Sequence, residues 1–153
     1  MGLKAPPAEA VGLCFTCRWK RCTTTRRDAT FFRCARAETD ARFVRYPPLP
    51  VRGCAGYEEA MFFVVLLHYT APLNEVDAIR PAHLQHVERY ARQGVFHAWA
   101  RRDPPAGGVL LAAAPDRAAL DAVVADDPYV RGRVARAEVV SFNPANVSGV
   151  LRA

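Results

Sequence analysis

Apolar and polar residues follow two different periods in the second part of the chain. Residues 61–69 are apolar on both alternating faces, which predicts a strand in a sheet that is covered on both sides. A helix is predicted next, with its main part beginning near Arg80 and Pro81, because proline fits the first helical turn. One face of this helix is apolar: Leu84, Val87 and Ala91. Gly94 is the expected end of the helix.

Two more strands and a second helix follow. Residues 95–100 and 109–113 are predicted strands joined by a turn rich in proline and glycine, so we expect them to form a hairpin. Asp116 is in position to cap the second helix. The apolar stripe of that helix consists of Leu120, Val123 and Val124. An Asp-Pro pair at 127–128 ends the helix, and residues 136–142 form the last strand.

The predicted order of elements is β-α-β-β-α-β, which is the ferredoxin-like arrangement of the α+β class. Both helices then pack on one face of a four-stranded antiparallel sheet. The opposite face is also apolar and needs a cover. A second copy of the same sheet is the simplest cover and gives a two-fold homodimer. The N-terminal part of the chain is the alternative cover.

Charge and cysteine content divide the chain into two modules. Residues 1–60 contain eleven Lys and Arg against six Asp and Glu, whereas residues 61–153 contain ten against nine. All five cysteines also precede residue 60. We therefore expect a Cys-rich basic module at 1–58 and a second domain at 61–150.

The composition is that of a globular protein. Hydrophobic residues make up 51% of the chain and charged residues 24%. The apolar run at 61–67 is far shorter than the roughly 20 residues that a transmembrane helix needs. Residues 1–10 lack the apolar segment of a secretion signal. These features predict a cytoplasmic protein with reduced thiols and no membrane partner.

The cysteines of the first module form a candidate metal site. Cys14 and Cys17 have the Cys-x2-Cys spacing that lets two thiolates converge on one ion, and Cys34 and Cys54 supply two more. One structural Zn²⁺ would help a small arginine-rich module that cannot build a large core. Buried free thiols, a disulfide and an iron–sulfur site are the alternatives, and Cys22 is left over. No organic cofactor is indicated.

A basic run around Trp19 is a candidate nucleic-acid surface. It contains Arg18, Lys20, Arg21, Arg26 and Arg27. Binding of this kind needs phosphate contacts from basic side chains and base stacking on an aromatic ring. A solvated basic face explains the same residues, because the net charge of the module is modest. We therefore do not expect a nucleic-acid partner.

Two polar residues lie on the apolar faces of the predicted helices. His83 is in the first turn of one helix. Asp127 follows Val123 by four residues, so its carboxylate lies on or beside the buried stripe if the second helix extends that far. The helices lie side by side in this fold, and a buried carboxylate needs a partner. The pair is a candidate catalytic site, with His83 as general base and Asp127 as its orienting group. A structural hydrogen bond, or an Asp127 that faces water, is the alternative.

The remaining polar residues of the first helix give weaker signals. Tyr90 lies on the same side of the helix as His83 and is a candidate substrate-binding residue, with a packed aromatic as the alternative. His86 is expected to face solvent. The histidines and carboxylates of this module show no metal-ligand spacing.

Several motifs of the second module resemble the YciI-like (YCII-related) family. They are Arg80-Pro-Ala-His83-Leu, Gly94-Val-Phe, Asp127-Pro-Tyr129-Val and Val139-Val-Ser-Phe142-Asn-Pro. The resemblance covers about residues 61–145 and implies a dimeric α/β-barrel with an active site at His83 and Asp127. It further implies a lyase or isomerase that acts on a small organic acid or phenol. Residues 34–58 resemble a small bacterial Cys-containing module.

The chain departs from the family pattern after the second strand, where many members have a turn of small residues beside the pocket. Trp99 and Arg101 occupy this stretch here. Both are candidate substrate-binding residues, and Arg101 suits a small anionic substrate, with a surface arginine as the alternative. If Trp99 fills the pocket, the chain is instead a non-catalytic, metal-stapled binding or regulatory dimer.

Overall fold

The computed structural model describes residues 8–25 and 29–143. The elements in chain order are α1 (Ala8–Val11), a 3₁₀ helix (Leu13–Phe15), β1 (Lys20–Thr24), β2 (Thr30–Cys34), a second 3₁₀ helix (Ala35–Glu38), β3 (Met61–Tyr69), α2 (Leu73–Arg92), β4 (Phe96–Arg101), β5 (Gly107–Ala114), α3 (Arg117–Ala125), α4 (Pro128–Arg131) and β6 (Ala135–Phe142). None of the helices in these ranges has the length and hydropathy of a membrane span.

Four strands of the second module form one antiparallel sheet in the order β4-β5-β3-β6. The β4–β5 hairpin lies at one edge; α2 connects β3 to β4, and α3 and α4 connect β5 to β6. This element order and strand order confirm the predicted ferredoxin-like, mixed α and β architecture. The observed bounds of β3 coincide with the predicted ones.

The core lies between the sheet and the helices. Alternate residues of β3 point toward the helices and are almost fully buried: Phe63, Val65 and Leu67. They pack with Val76 and Val87 of α2 and with Leu120 of α3, which are also fully buried. Each such side chain contributes about 1.5–3 kcal/mol through its removal from water.

The other face of the sheet carries apolar residues that remain in contact with water. Val109, Val140 and Phe142 are 37%, 45% and 36% exposed. The alternative prediction required the N-terminal module to cover this face. Since these residues are exposed, the module does not cover this part of the sheet. The face is therefore open at these residues in the single chain.

The start of α2 differs from the prediction. The helix begins at Leu73, directly after Pro72, and Pro81 lies in its interior. Pro72 and Pro81 are each compatible with the start of a helix, and the helix starts at the earlier of the two. Pro81 only removes one hydrogen bond of the helix, because it has no N–H to donate.

Two predicted helix boundaries are confirmed by their hydrogen bonds. Gly94 has a φ of 71°, and the N–H groups of Gly94 and Val95 donate to carbonyls of the last turn of α2 at 2.9 Å each. This is the Schellman end that glycine permits. At α3, the Asp116 carboxylate accepts a hydrogen bond from the Ala119 N–H at 2.8 Å.

The N-terminal module is built around the β1–β2 hairpin, in which Lys20 pairs with Cys34. Lys20 also connects the two modules, because its Nζ donates to the carbonyl oxygens of Phe15 at 2.6 Å and Gly94 at 3.4 Å. The ring of Phe15 meets His97 edge-on, with 6.0 Å between the ring centroids. The β1–β2 sheet precedes the predicted domain boundary near residue 60, and the four-stranded sheet follows it. The division into two domains stays a prediction.

Candidate active site

The two residues of the predicted pair are in contact. His83 is on α2 and Asp127 lies between α3 and α4, and both are buried, with 9% and 4% of their surfaces exposed. The Nδ1 atom of His83 is 2.9 Å from Oδ1 and 3.0 Å from Oδ2 of Asp127. An ionised carboxylate is only an acceptor, so Nδ1 carries the proton and donates it. The second ring nitrogen, Nε2, is then the basic one.

The reason for the burial of Asp127 differs from the prediction. Helix α3 ends at Ala125, so Asp127 is not on its apolar stripe. Asp127 is instead the N-cap of α4, and its Oδ1 accepts a hydrogen bond from the Tyr129 N–H at 2.8 Å. This cap holds the Asp127 carboxylate in place independently of its contact with His83.

The imidazole ring is also held from its flat side. The ring of Tyr129 stacks on His83 with 4.0 Å between the centroids and an angle of 10° between the planes. Asp127 thus supplies the carboxylate, and its neighbour Tyr129 supplies both a backbone donor to that carboxylate and a ring that limits rotation of His83. The arrangement can accept a proton at Nε2 and stabilise the resulting imidazolium.

His83 lies in the wall of a cavity of about 220 Å³. Other residues of the wall are Tyr69, Arg80, Trp99, Arg101 and Tyr129. This volume is below the range of roughly 300–1,000 Å³ that is usual for ligand pockets. The cavity therefore suits only a small molecule.

Both residues of the departure from the family pattern line this cavity. Trp99 is 37% exposed and leaves the cavity open. Arg101 donates from Nε to the Tyr69 hydroxyl at 3.2 Å, and its guanidinium also forms an ion pair with Asp77. Arg101 is thus a cation in the cavity wall whose charge is balanced by a carboxylate outside it.

Two tyrosines complete the polar wall and were not predicted as site residues. Their rings meet edge-on, with 5.8 Å between the centroids of Tyr69 and Tyr129. Burial raises the pKa of Tyr129 to about 12, so its hydroxyl remains protonated. The sequence did contain a signal for Tyr69, because it continues the buried alternation of Phe63, Val65 and Leu67.

Tyr90 follows the alternative given for it, a packed aromatic, and His86 does not follow its prediction. Tyr90 is not in the wall of the cavity; its ring packs against His86 and Phe96, at centroid distances of 4.9 and 6.3 Å. His86 was expected to face solvent, which is wrong, since only 6% of it is exposed. It lies against the turn between α3 and α4, and burial lowers its pKa.

The cysteines come near one another around a second cavity. Cys14, Cys34 and Cys54 line a space of about 360 Å³, and Cys17 is buried nearby. All five cysteines are free thiols, so the alternative of a disulfide is not formed. Burial raises the pKa of Cys14 to about 11, and the charges of the other three act in the same direction. Within 8–25 and 29–143, no three potential ligands are arranged to hold an ion.

The basic run is partly used inside the protein. Arg18 forms an ion pair with Glu58 at 3.5 Å, and Lys20 is the residue that connects the modules. Arg21 donates to the carbonyls of Arg18 and Lys20. The two arginines at 26–27 lie outside the described residues. The described part of this run therefore gives no support to a nucleic-acid surface.

The fold and the cavity define a small α+β domain with a buried His–Asp pair beside a small-molecule pocket. A family model described as the YCII-related domain matches residues 61–143, which is more than half of the chain. The chain belongs to the YCII-related family, as its motifs predicted. No curated protein matches the chain.

Proposed function

We propose that the chain is an enzyme of the lyase or isomerase type in which His83 removes a proton from a small organic acid or phenol. The observation that carries this proposal is the contact of 2.9 Å between His83 Nδ1 and the buried carboxylate of Asp127, in the wall of a 220 Å³ cavity. A histidine held in this way has its basic nitrogen free for substrate.

The reaction uses the groups in the following way. His83 Nε2 accepts a proton from a carbon atom of the substrate, and the freed electron pair stays on the substrate. Asp127 stabilises the imidazolium that forms. In an isomerisation the imidazolium returns the proton to a different atom. In an elimination a leaving group departs with the electrons of its bond.

Arg101 and Tyr129 are the groups that would bind an acidic substrate. The guanidinium suits a carboxylate or phenolate, and the protonated Tyr129 hydroxyl is a donor. Since Arg101 is paired with Asp77, the substrate must compete with Asp77 for the guanidinium. This competition favours substrates with a full negative charge over neutral ones.

We also propose that the chain is a homodimer through the open face of its sheet. Its support is the group of exposed apolar residues there, Val109, Val140 and Phe142. Contiguous exposed apolar surface of this kind marks interaction sites.

The experiment is a proton-exchange assay. Small organic acids and phenols that raise the Tm of the protein are incubated with it in D₂O, and loss of C–H signals is followed by NMR. His83→Gln is expected to slow exchange about 10²–10⁴-fold. His68→Gln is the matched control, because this histidine also has a carboxylate partner but lies outside the cavity, and it is expected to exchange at the wild-type rate.

A second candidate function is a non-catalytic binding or regulatory dimer. It is favoured by the ion pair of Arg101 with Asp77 and by the presence of Trp99 in the wall, which together make the cavity small and its charge balanced. Ligands that raise the Tm without any proton exchange in the wild type would support this candidate and overturn the enzymatic one.

A further inference from the structure

Three thiols from distant parts of the sequence line the same cavity. Cys14 comes from the first 3₁₀ helix, Cys34 from the end of β2 and Cys54 from the loop before β3. Cys17 follows Cys14 by three residues and is buried, with 9% of its surface exposed. Four of the five cysteines therefore belong to one region, although they span about forty residues of sequence.

Backbone hydrogen bonds hold these segments side by side. The Leu13 N–H donates to the Val51 carbonyl at 2.8 Å, and the Val51 N–H donates to the Val11 carbonyl at 3.1 Å. This pairing lays the segment that carries Cys54 along the one that carries Cys14. The β1–β2 register adds Cys34, which is paired with Lys20. The convergence of the thiols is thus a property of the backbone.

We propose that Cys14, Cys17, Cys34 and Cys54 bind one Zn²⁺ as four thiolates. Zinc in structural sites is tetrahedral and commonly has four sulfur ligands, at about 2.3 Å. Such a site carries a net negative charge, and the Lys20 ammonium is a neighbouring cation, since its Nζ donates to the carbonyl oxygen of Phe15, the residue next to Cys14, at 2.6 Å. The site lies in the N-terminal module and is independent of the activity proposed for His83.

Zinc binding requires a limited closure of this region. The thiols as placed, within the described residues, do not form a ready group of ligands. Zinc displaces their protons, and metal sites of this type gain their final geometry when the metal binds. Cys54 is the exposed one of these four thiols, so its segment is where we expect this closure.

The first test is the zinc content of the full-length protein, purified from cells grown with added zinc. One zinc ion per chain is expected in the wild type. Serine in place of Cys14, Cys17, Cys34 or Cys54 is expected to reduce it several-fold or abolish it. Cys22→Ser is the matched control and keeps the zinc, because Cys22 is on β1 and does not line the cavity.

The second test uses only the wild-type protein, so its result does not depend on whether the serine variants fold. Cobalt replaces zinc in the wild-type protein, and tetrathiolate ligation is expected to give an intense sulfur-to-cobalt charge-transfer band with tetrahedral d–d bands. Absence of zinc from the wild type, loss of zinc in Cys22→Ser, or a cobalt spectrum without the charge-transfer band would each overturn the proposal.

Discussion

The second module contains two histidine–carboxylate pairs whose distances are nearly equal. His83 Nδ1 is 2.9 Å from Asp127, and His68 Nε2 is 3.0 Å from Glu138. The first pair is buried, with 11% and 5% of the side chains exposed, whereas the values for the second are 25% and 50%. Asp127 is further fixed by the backbone of Tyr129, and the described contacts give Glu138 no such anchor.

The difference teaches that a short distance alone does not define a site. An exposed pair is screened by water and its members lose side-chain freedom to form it, so it contributes little. A buried pair interacts more strongly and leaves an expensive unpaired group if one partner is removed. Only the first pair also borders a cavity.

The largest expected effect is on stability. Asp127→Ala removes the cap of α4 and the partner of His83, and is expected to lower the free energy of unfolding by about 2–4 kcal/mol. Glu138→Ala is expected to cost less than about 1 kcal/mol. Urea denaturation of both variants measures the two values. The contrast fails if the two substitutions cost the same.

A third histidine separates the effect of burial from that of pairing. His97 is packed against Phe15, its buried Nε2 has no hydrogen-bond partner, and burial lowers its pKa from 6.5 to about 4. Between these values the unfolded chain binds a proton that the folded chain does not. The stability is therefore highest above pH 6.5 and decreases as the pH falls toward 4.

His97→Phe removes this titration and keeps a ring of similar shape. We expect the loss of unfolding free energy between pH 6.5 and 4 to be smaller in the variant by about 2–3 kcal/mol. Denaturation of both proteins at several pH values gives the difference. Parallel pH profiles would mean that the environment of His97 does not suppress its protonation.

The smallest expected effect is a change in the stability that the exposed pair of His68 and Glu138 contributes when the proposed dimer dissociates. His68 and Glu138 are on the open face of the sheet, which carries Val140. Val140→Glu is expected to convert the dimer to a monomer in light scattering, and Leu73→Glu, at an exposed apolar residue of α2, is not. In the dimeric wild type Glu138→Ala is expected to cost up to about 1 kcal/mol, and in the monomeric background it is expected to cost less. A wild type that is already monomeric contradicts the prediction.

Much of the fold was predictable because local chemistry determines it. The alternation of β3, the glycine after α2 and the Asp116 cap each depend on a few neighbouring residues. The start of α2 was not predictable in the same way, since Pro72 and Pro81 are both compatible with a first turn and tertiary packing decides between them.

The two residues of the site were predicted, but the way in which the backbone positions them was not. His83 and Asp127 followed from their positions and from the family motifs. The role of Asp127 as the cap of a new short helix did not, because it depends on where α3 ends. The burial of His86 depends on the turn between α3 and α4, which no local pattern contains, whereas Tyr69 continues the alternation of β3 and could have been found.

The contact of Lys20 with Gly94 has a consequence for how this protein can be divided. A cation from the N-terminal module lies against the carbonyl end of α2, where the helix dipole is negative, and His83 is on the same helix. A shortened chain that begins at residue 60 would lose this cation and uncover His97. The two modules thus share contacts that each would lose if the chain were divided between them.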